Sequence, residues 1–256
     1  RRAGLDPEKP PRTWYEMVRV LGTLLDSGMG CGYATAWPAW VLLENMSLGH
    51  NQEFATNGNG VGGADARFAF NTHVMMRFIA MLSSWSKAGY FTYTGRGEEA
   101  EARFAAGECA VLTTSSAAQE RIARDAKFAI GASHLPYYDD VPGAPQNTVP
   151  GGAGLWAFGG KKPAEYRAVA KFFSFLLQPE EQARWHQRTG YLPVTRQAYE
   201  LSRKAGYYRE RPGQEVALRQ LVAAPTRDSR GIRLGDYRWI RAILDEELEA
   251  VWAQAR

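Results

Sequence analysis

The sequence has little that would serve a membrane, a metal or a covalent reaction. No run of about 18 apolar residues occurs, so no segment reads as a membrane-spanning helix. The four histidines, His50, His73, His134 and His186, stand far apart and in none of the spacings that zinc sites use. No metal and no cofactor is expected. There is no G-x-S-x-G nucleophile elbow. Carboxylates gather at Glu98-Glu99, Glu180-Glu181 and Asp245-Glu246-Glu247, but adjacent residues project to different sides of a helix. They read as solvated faces, and an enzyme is not expected. Cysteine is scarce too: Cys31 and Cys109 are alone, which excludes a disulfide scaffold. Each opens an apolar run. Two buried thiols is the preferred reading, and a disulfide in an oxidising compartment is the alternative. Arg1-Arg2 has no apolar stretch behind it and does not read as a signal peptide.

What is present is ordinary globular material. The 256 residues are 45% hydrophobic and 23% charged, with a net charge of +4 and a pI near 9.1. That length suits one large domain or two modest lobes. The charges are interspersed, and no basic stripe alternates with aromatics, so nucleic acid is not an expected partner. A mildly basic chain does accommodate an anionic ligand. Aromatics are plentiful, with eight Trp and twelve Tyr, residues suited both to cores and to stacking sites.

The periodicities predict mixed α/β structure that becomes helical towards the end. Thr13 to Ser27 is the clearest helix, with a Thr13/Glu16 capping box. Cys31–Thr35, Cys109–Thr114 and Phe128–Leu135 read as strands. Helices are predicted over 38–47, 66–89 with a break near Asn71-Thr72, 98–106, 115–125, 163–177, 179–190, 195–206, 212–223 and 239–255. In the last of these the core stripe is Trp239, Ile240, Ile243, Leu244, Leu248 and Val251. The literal G-x-G-x-x-G at Gly58–Gly63 lacks a preceding strand and a following acidic residue, so it is read as turns rather than a dinucleotide loop.

Several residues admit a ligand role beside a structural one. Ser115-Ser116, at a predicted strand-to-helix turn, offer hydroxyls and N–H groups to a phosphate, or simply cap the helix. Gly151-Gly152-Ala153-Gly154 brings bare backbone to a ligand, or makes a tight turn. Trp37 and Trp40 stack on a ligand, or fill the core. Arg241 lies beside the stripe of its helix, as a surface charge or as a phosphate partner.

The runs Ala3-Gly4-Leu5-Asp6-Pro7, Cys31-Gly32-Tyr33-Ala34, Leu43-Glu44-Asn45, Ala144-Pro145-Gln146-Asn147, Gly151-Gly152-Ala153-Gly154-Leu155-Trp156, Trp185 to Pro193 and Asp245-Glu246-Glu247-Leu248 carry more. In order along the chain they resemble the glycerol-3-phosphate-binding proteins of bacterial ABC importers, within extracellular solute-binding family 1. The resemblance implies a periplasmic-binding-protein-like fold of two α/β lobes. Residues 1–146 and 191–256 then belong to the second lobe, and 147–190 return to the first. It also implies a further N-terminal part beyond this chain and a short C-terminal extension. The implied ligand contacts fall on Trp37, Ser115, Gly152, Tyr191 and Arg241, with Trp40 as the second member of an aromatic pair. The implied activity is capture of glycerol 3-phosphate or a glycerophosphodiester such as glycerophosphocholine, by a periplasmic monomer that delivers it to a membrane permease. A sugar-binding protein of the same fold is the first alternative, and a phosphodiesterase working from the Ser115 turn the second. Pro38 and Ala39 between the tryptophans, and Pro150 before the glycines, depart from the family pattern and leave the choice of monoester or diester open.

Overall fold

The computed structural model describes residues 1–223, 226 and 229–255. Helix α1 (Trp14–Asp26) starts where the capping box places it: Thr13 Oγ1 accepts from the Glu16 N–H, and the Glu16 carboxylate accepts from the Thr13 and Arg12 N–H groups. Trp14, Met17 and Leu21 turn one face into the core. Strand β1 (Cys31–Thr35) follows, buried along its whole length. A π-helical turn (Ala39–Glu44) runs directly into α2 (Asn45–Gly49), and nearly all of its side chains are buried.

The loop after α2 is the glycine-rich stretch. Gly60, at φ 83°, is pressed against the Arg233 carbonyl so closely that a Cβ has no room. The glycines therefore serve a turn and a close backbone approach, as expected. Helix α3 spans His73–Lys87, with Thr72 as its cap. The predicted helical stretch from 66 to 72 does not form. Arg67 and Ala69 instead donate to Thr56 and Phe54, so the backbone is committed to the neighbouring loop.

Helix α4 (Glu99–Ala105) leads into strand β2 (Cys109–Thr113), which pairs in parallel with β1. Register sets Cys31 opposite Cys109, and the two form a disulfide with Cα atoms 4.4 Å apart. This corrects the expectation of two free thiols. Both cysteines open their strands, and parallel pairing in register makes them neighbours. After β2 a single 3₁₀ turn (Ser116–Ala118) precedes α5 (Gln119–Asp125). The strand expected at 128–135 is absent: the stretch is extended but mostly exposed, with no sheet partner among the described residues.

Helices α6 (Pro163–Leu176), α7 (Pro179–Thr189), α8 (Arg196–Lys204), α9 (Pro212–Leu221) and α10 (Tyr237–Trp252) follow, with a short helical turn (Tyr207–Glu210) between α8 and α9. The core joins α1, β1, the π-turn, α3 and α10 through Trp14, Leu21, Tyr33, Leu42, Phe78 and Leu248. Helix α10 buries Leu244, Leu248 and Trp252, whereas Trp239 and Ile243 stay exposed, so the buried stripe is narrower than the sequence suggested. Arg96 hydrogen-bonds Glu249 and lies 3.8 Å from Glu246, which ties the 93–97 loop to α10. The Arg96 bonds, with help from Tyr93, hold the Glu249 carboxyl down at about 2.

Candidate functional site

The site is built around the turn that leaves β1. Trp37 sits at φ 52°, a left-handed conformation that is strained for a bulky residue. Its N–H donates to the Gly97 carbonyl and its own carbonyl accepts from Val41, so both sides of the kink are held. The consequence is a large indole left 42% exposed at the edge of an otherwise buried segment. The next residues are locked to α10: the Ala39 N–H donates to Asp245 Oδ1 at 3.1 Å. Burial raises the Asp245 pKa despite that bond. Asp245 was expected on a solvated face, and it is instead an anchor for this turn.

Trp40 is engaged differently from Trp37. Its indole Nε1 donates to the Val149 carbonyl at 2.9 Å, and its ring covers Gly151, where a Cβ would lie 2.8 Å from the indole. Asn45 completes the junction, donating to the Trp40 carbonyl and accepting from the Val149 N–H at 2.8 Å. The residue after Gly151 is Gly152, at φ 118°, and a Cβ there would meet the Tyr191 ring at 3.2 Å.

Tyr191 follows the left-handed Gly190 that ends α7. The residue is 44% exposed, but its carbonyl is held by His186 Nδ1 at 2.6 Å, and His186 Nε2 meets the Tyr208 hydroxyl at 2.9 Å. Burial lowers the His186 pKa, which keeps the ring neutral in this relay. Gly190 packs against Ala117, with its virtual Cβ 3.1 Å from the Ala117 Cα. That contact packs the end of α7 on the turn that carries Ser115, whose Oγ accepts from the Ala117 N–H at 3.3 Å. The turn carrying Ser115 is supported by Glu101, which is 1% exposed and bonds both Thr114 and Arg121.

Arg241 closes the group. Its Nε and Nη2 donate to the two carboxylate oxygens of Glu44 at 2.6 and 2.7 Å, and its guanidinium lies over the Tyr237 ring at 4.8 Å. Burial opposes its charge most strongly, but the Glu44 bonds and charge together with Tyr237 outweigh it and raise the pKa. Arg241 is thus half-buried and paired, rather than a free surface charge.

Contacts link the segments that carry Trp40, Gly152, Tyr191, Ser115 and Arg241, and Trp37 lies three positions before Trp40. Arg241 and Glu44 meet at the end of the π-turn, Trp40 meets Gly151, Gly152 meets Tyr191, and Gly190 meets the Ser115 turn. The sequence reading assigned no supporting role to Glu44, Asp245, Glu101 or His186. Only Glu44 left a local sign, a lone charge inside the apolar stretch Val41-Leu42-Leu43-Glu44-Asn45-Met46.

Residues 2–208 match the family model for bacterial extracellular solute-binding proteins. The chain belongs to that family. Among curated relatives of this solute-binding protein is the sn-glycerol-3-phosphate-binding periplasmic protein UgpB of Salmonella typhimurium, 46% identical over 98% of this chain and 58% of the relative. The protein of the same name from Yersinia pestis is 45% identical over the same shares. The chain thus spans a little over half the length of the relatives it matches. Among solved structures, UgpB of Mycobacterium tuberculosis in complex with glycerophosphocholine superposes with a TM-score of 0.77 at 22% identity, over 100% of this chain and 61% of that one. The cyclic alpha-maltosyl-1,6-maltose binding protein of Arthrobacter globiformis gives 0.74 at 23% identity, over 100% and 62%. The solute-binding protein therefore has the α/β fold of the two-lobe periplasmic binders. No helix among the described residues is long and apolar enough to cross a membrane.

Proposed function

We propose that this chain is the larger part of a periplasmic binding protein that captures glycerol 3-phosphate or a glycerophosphodiester for an ABC importer. The observation that carries the reading is Arg241: a cation braced by a buried carboxylate, on a framework that also carries an exposed indole, an exposed phenol, a hydroxyl turn and a bare glycine backbone. The chemistry fits a small phosphate ester. Arg241 meets the phosphate charge, Ser115 and Gly152 give short polar contacts, Tyr191 donates or accepts through its hydroxyl, and Trp37 covers the carbon skeleton. The similarity to proteins named for glycerol 3-phosphate binding supports the same ligand class.

In this reading residues 1–146 and 191–256 lie in the second lobe, and 147–190 return to the first. The exposure of Leu155, Trp156, Phe158, Tyr166, Phe172 and Phe175 supports that division, because such a face fits burial against the rest of a lobe. Ligand touching both lobes favours the closed form, which a permease then engages. The ligand leaves unaltered: the reading is of a binding protein, like its relatives.

The test is titration calorimetry of the intact protein with glycerol 3-phosphate, glycerophosphocholine and maltose. Heat with a phosphate ester and none with maltose supports the proposal. Saturable binding of maltose alone shifts the reading to a sugar binder, which the maltosyl-binding neighbour already suggests as the second choice. Release of free choline from glycerophosphocholine would overturn the non-enzyme reading.

A further inference from the structure

Glu44 is the residue that this reading leaves unexplained. Its side chain is 0% exposed and sits among Val41, Leu42, Leu43 and Met46, all buried. Taking a carboxylate out of water is costly, and an apolar side chain would fill this place without that cost. A buried ion pair is therefore poor evidence of a gain in stability, and its geometry points elsewhere.

Both Glu44 oxygens accept from the side edge of the Arg241 guanidinium, formed by Nε and Nη2. The guanidinium carbon of the same group lies over the Tyr237 ring, 4.8 Å from its centroid. With that edge engaged by a bidentate partner and the cation seated over a ring, the planar group is held in orientation, and among the described residues no hydrogen bond engages Nη1, which remains for a ligand. The placement is secured from both ends. Glu44 ends the π-turn whose first N–H is held by Asp245, and Asp245 lies one helical turn beyond Arg241 on α10.

We propose that Glu44 is the positioning residue for Arg241, fixing the guanidinium so that its unpaired edge meets the phosphate of the ligand. This rests on the functional reading above. Glu44 does not touch the ligand; it removes the rotational freedom that a long side chain would otherwise lose on binding.

The test is calorimetry of the intact protein with glycerol 3-phosphate and glycerophosphocholine, for the wild type, Glu44→Gln, Arg241→Ala and the double variant. Unfolding midpoints without ligand are measured in parallel. Glu44→Gln is expected to weaken both ligands about tenfold, and to change affinity by less than about twofold once Arg241 is gone, because coupled residues are not additive. Glu44→Asp keeps the charge but draws the guanidinium back by one methylene. It is expected to lose affinity at an unchanged midpoint, and it carries the test if Glu44→Gln folds poorly. Unchanged affinity in both variants, or losses that simply add, would overturn the inference while leaving the functional reading standing. A wild type that binds neither ester removes the functional reading, and the inference with it.

Discussion

At the scale of single residues, the site depends on placing charge and rings without letting either collapse into the fold. Arg241 is held half-open by Glu44 and Tyr237. Arg241→Ala is expected to weaken binding of a phosphate ester by about 2–4 kcal/mol, the scale for removing one partner of a desolvated charge pair; calorimetry on the intact protein reads this directly. Gly152 makes a different demand. It is exposed, yet its φ of 118° strains any side chain there, and the Tyr191 ring 3.2 Å from a virtual Cβ would have to give way. Gly152→Ala is expected to push Tyr191 aside and cost about 1–3 kcal/mol of backbone strain. The checks are a reduced affinity for the ester and a changed tyrosine ring environment by NMR.

At the scale of elements, two devices hold the framework behind the site. The first is the disulfide between β1 and β2, which closes a loop of 78 residues that includes the π-turn and Glu44. Replacing Cys31 and Cys109 by serine is expected to cost about 2–4 kcal/mol of stability, most of it through the freed unfolded chain. Denaturant melts of the variant and of the reduced wild type should agree. The second is His50, at the end of α2. Its Nδ1 meets the Met46 carbonyl at 2.7 Å, and its Nε2 accepts from the Tyr138 N–H at 2.8 Å. Only the neutral ring satisfies both contacts. Burial, reinforced by the charge of Arg77, depresses its pKa to about 4. The unfolded chain takes up the proton near the ordinary value of about 6.5, so it binds more protons than the fold between those limits. Stability is therefore fully present above about pH 6.5 and falls as acid is added, by about 3 kcal/mol at pH 4. His50→Gln should flatten that part of the profile in urea melts taken from pH 7 to 4.

At the scale of the whole molecule, the distribution of apolar surface is uneven. Helices α1, α3 and α10 bury their stripes in one core. Helix α6 buries none of its residues, although its sequence is strongly amphipathic. Trp156 at 88%, Phe158 at 80% and Phe172 at 53% exposure lie on or beside it. A patch of that kind is exceptional on an isolated soluble domain. The chain by itself is therefore expected to bind an apolar dye such as ANS strongly. The same chain extended to the length of its relatives should bind far less, with a blue-shifted tryptophan emission. Equal dye binding by both forms would count against the proposed division into lobes.

How much of this could be read from residues alone follows from the range of the forces involved. Helix α1 and its capping box, both strands of the sheet and the starts of α6 and α7 at prolines come from contacts within a few positions, and the sequence carries them openly. Trp37, Trp40, Ser115, Gly152 and Arg241 stood out from local pattern with a structural alternative beside each, Tyr191 came from family resemblance, and the contacts between their segments exist only in the fold. The extended stretch at 128–135 failed as a strand because a strand needs a partner, and apolar alternation does not provide one. The disulfide needed parallel register across 78 positions, and the Arg241–Glu44 pair needed a bond across 197. No local propensity encodes either. A short-range pattern determines which segments coil or extend; only packing of the whole chain decides which charge meets which, because a buried charge takes whatever partner the fold brings to it.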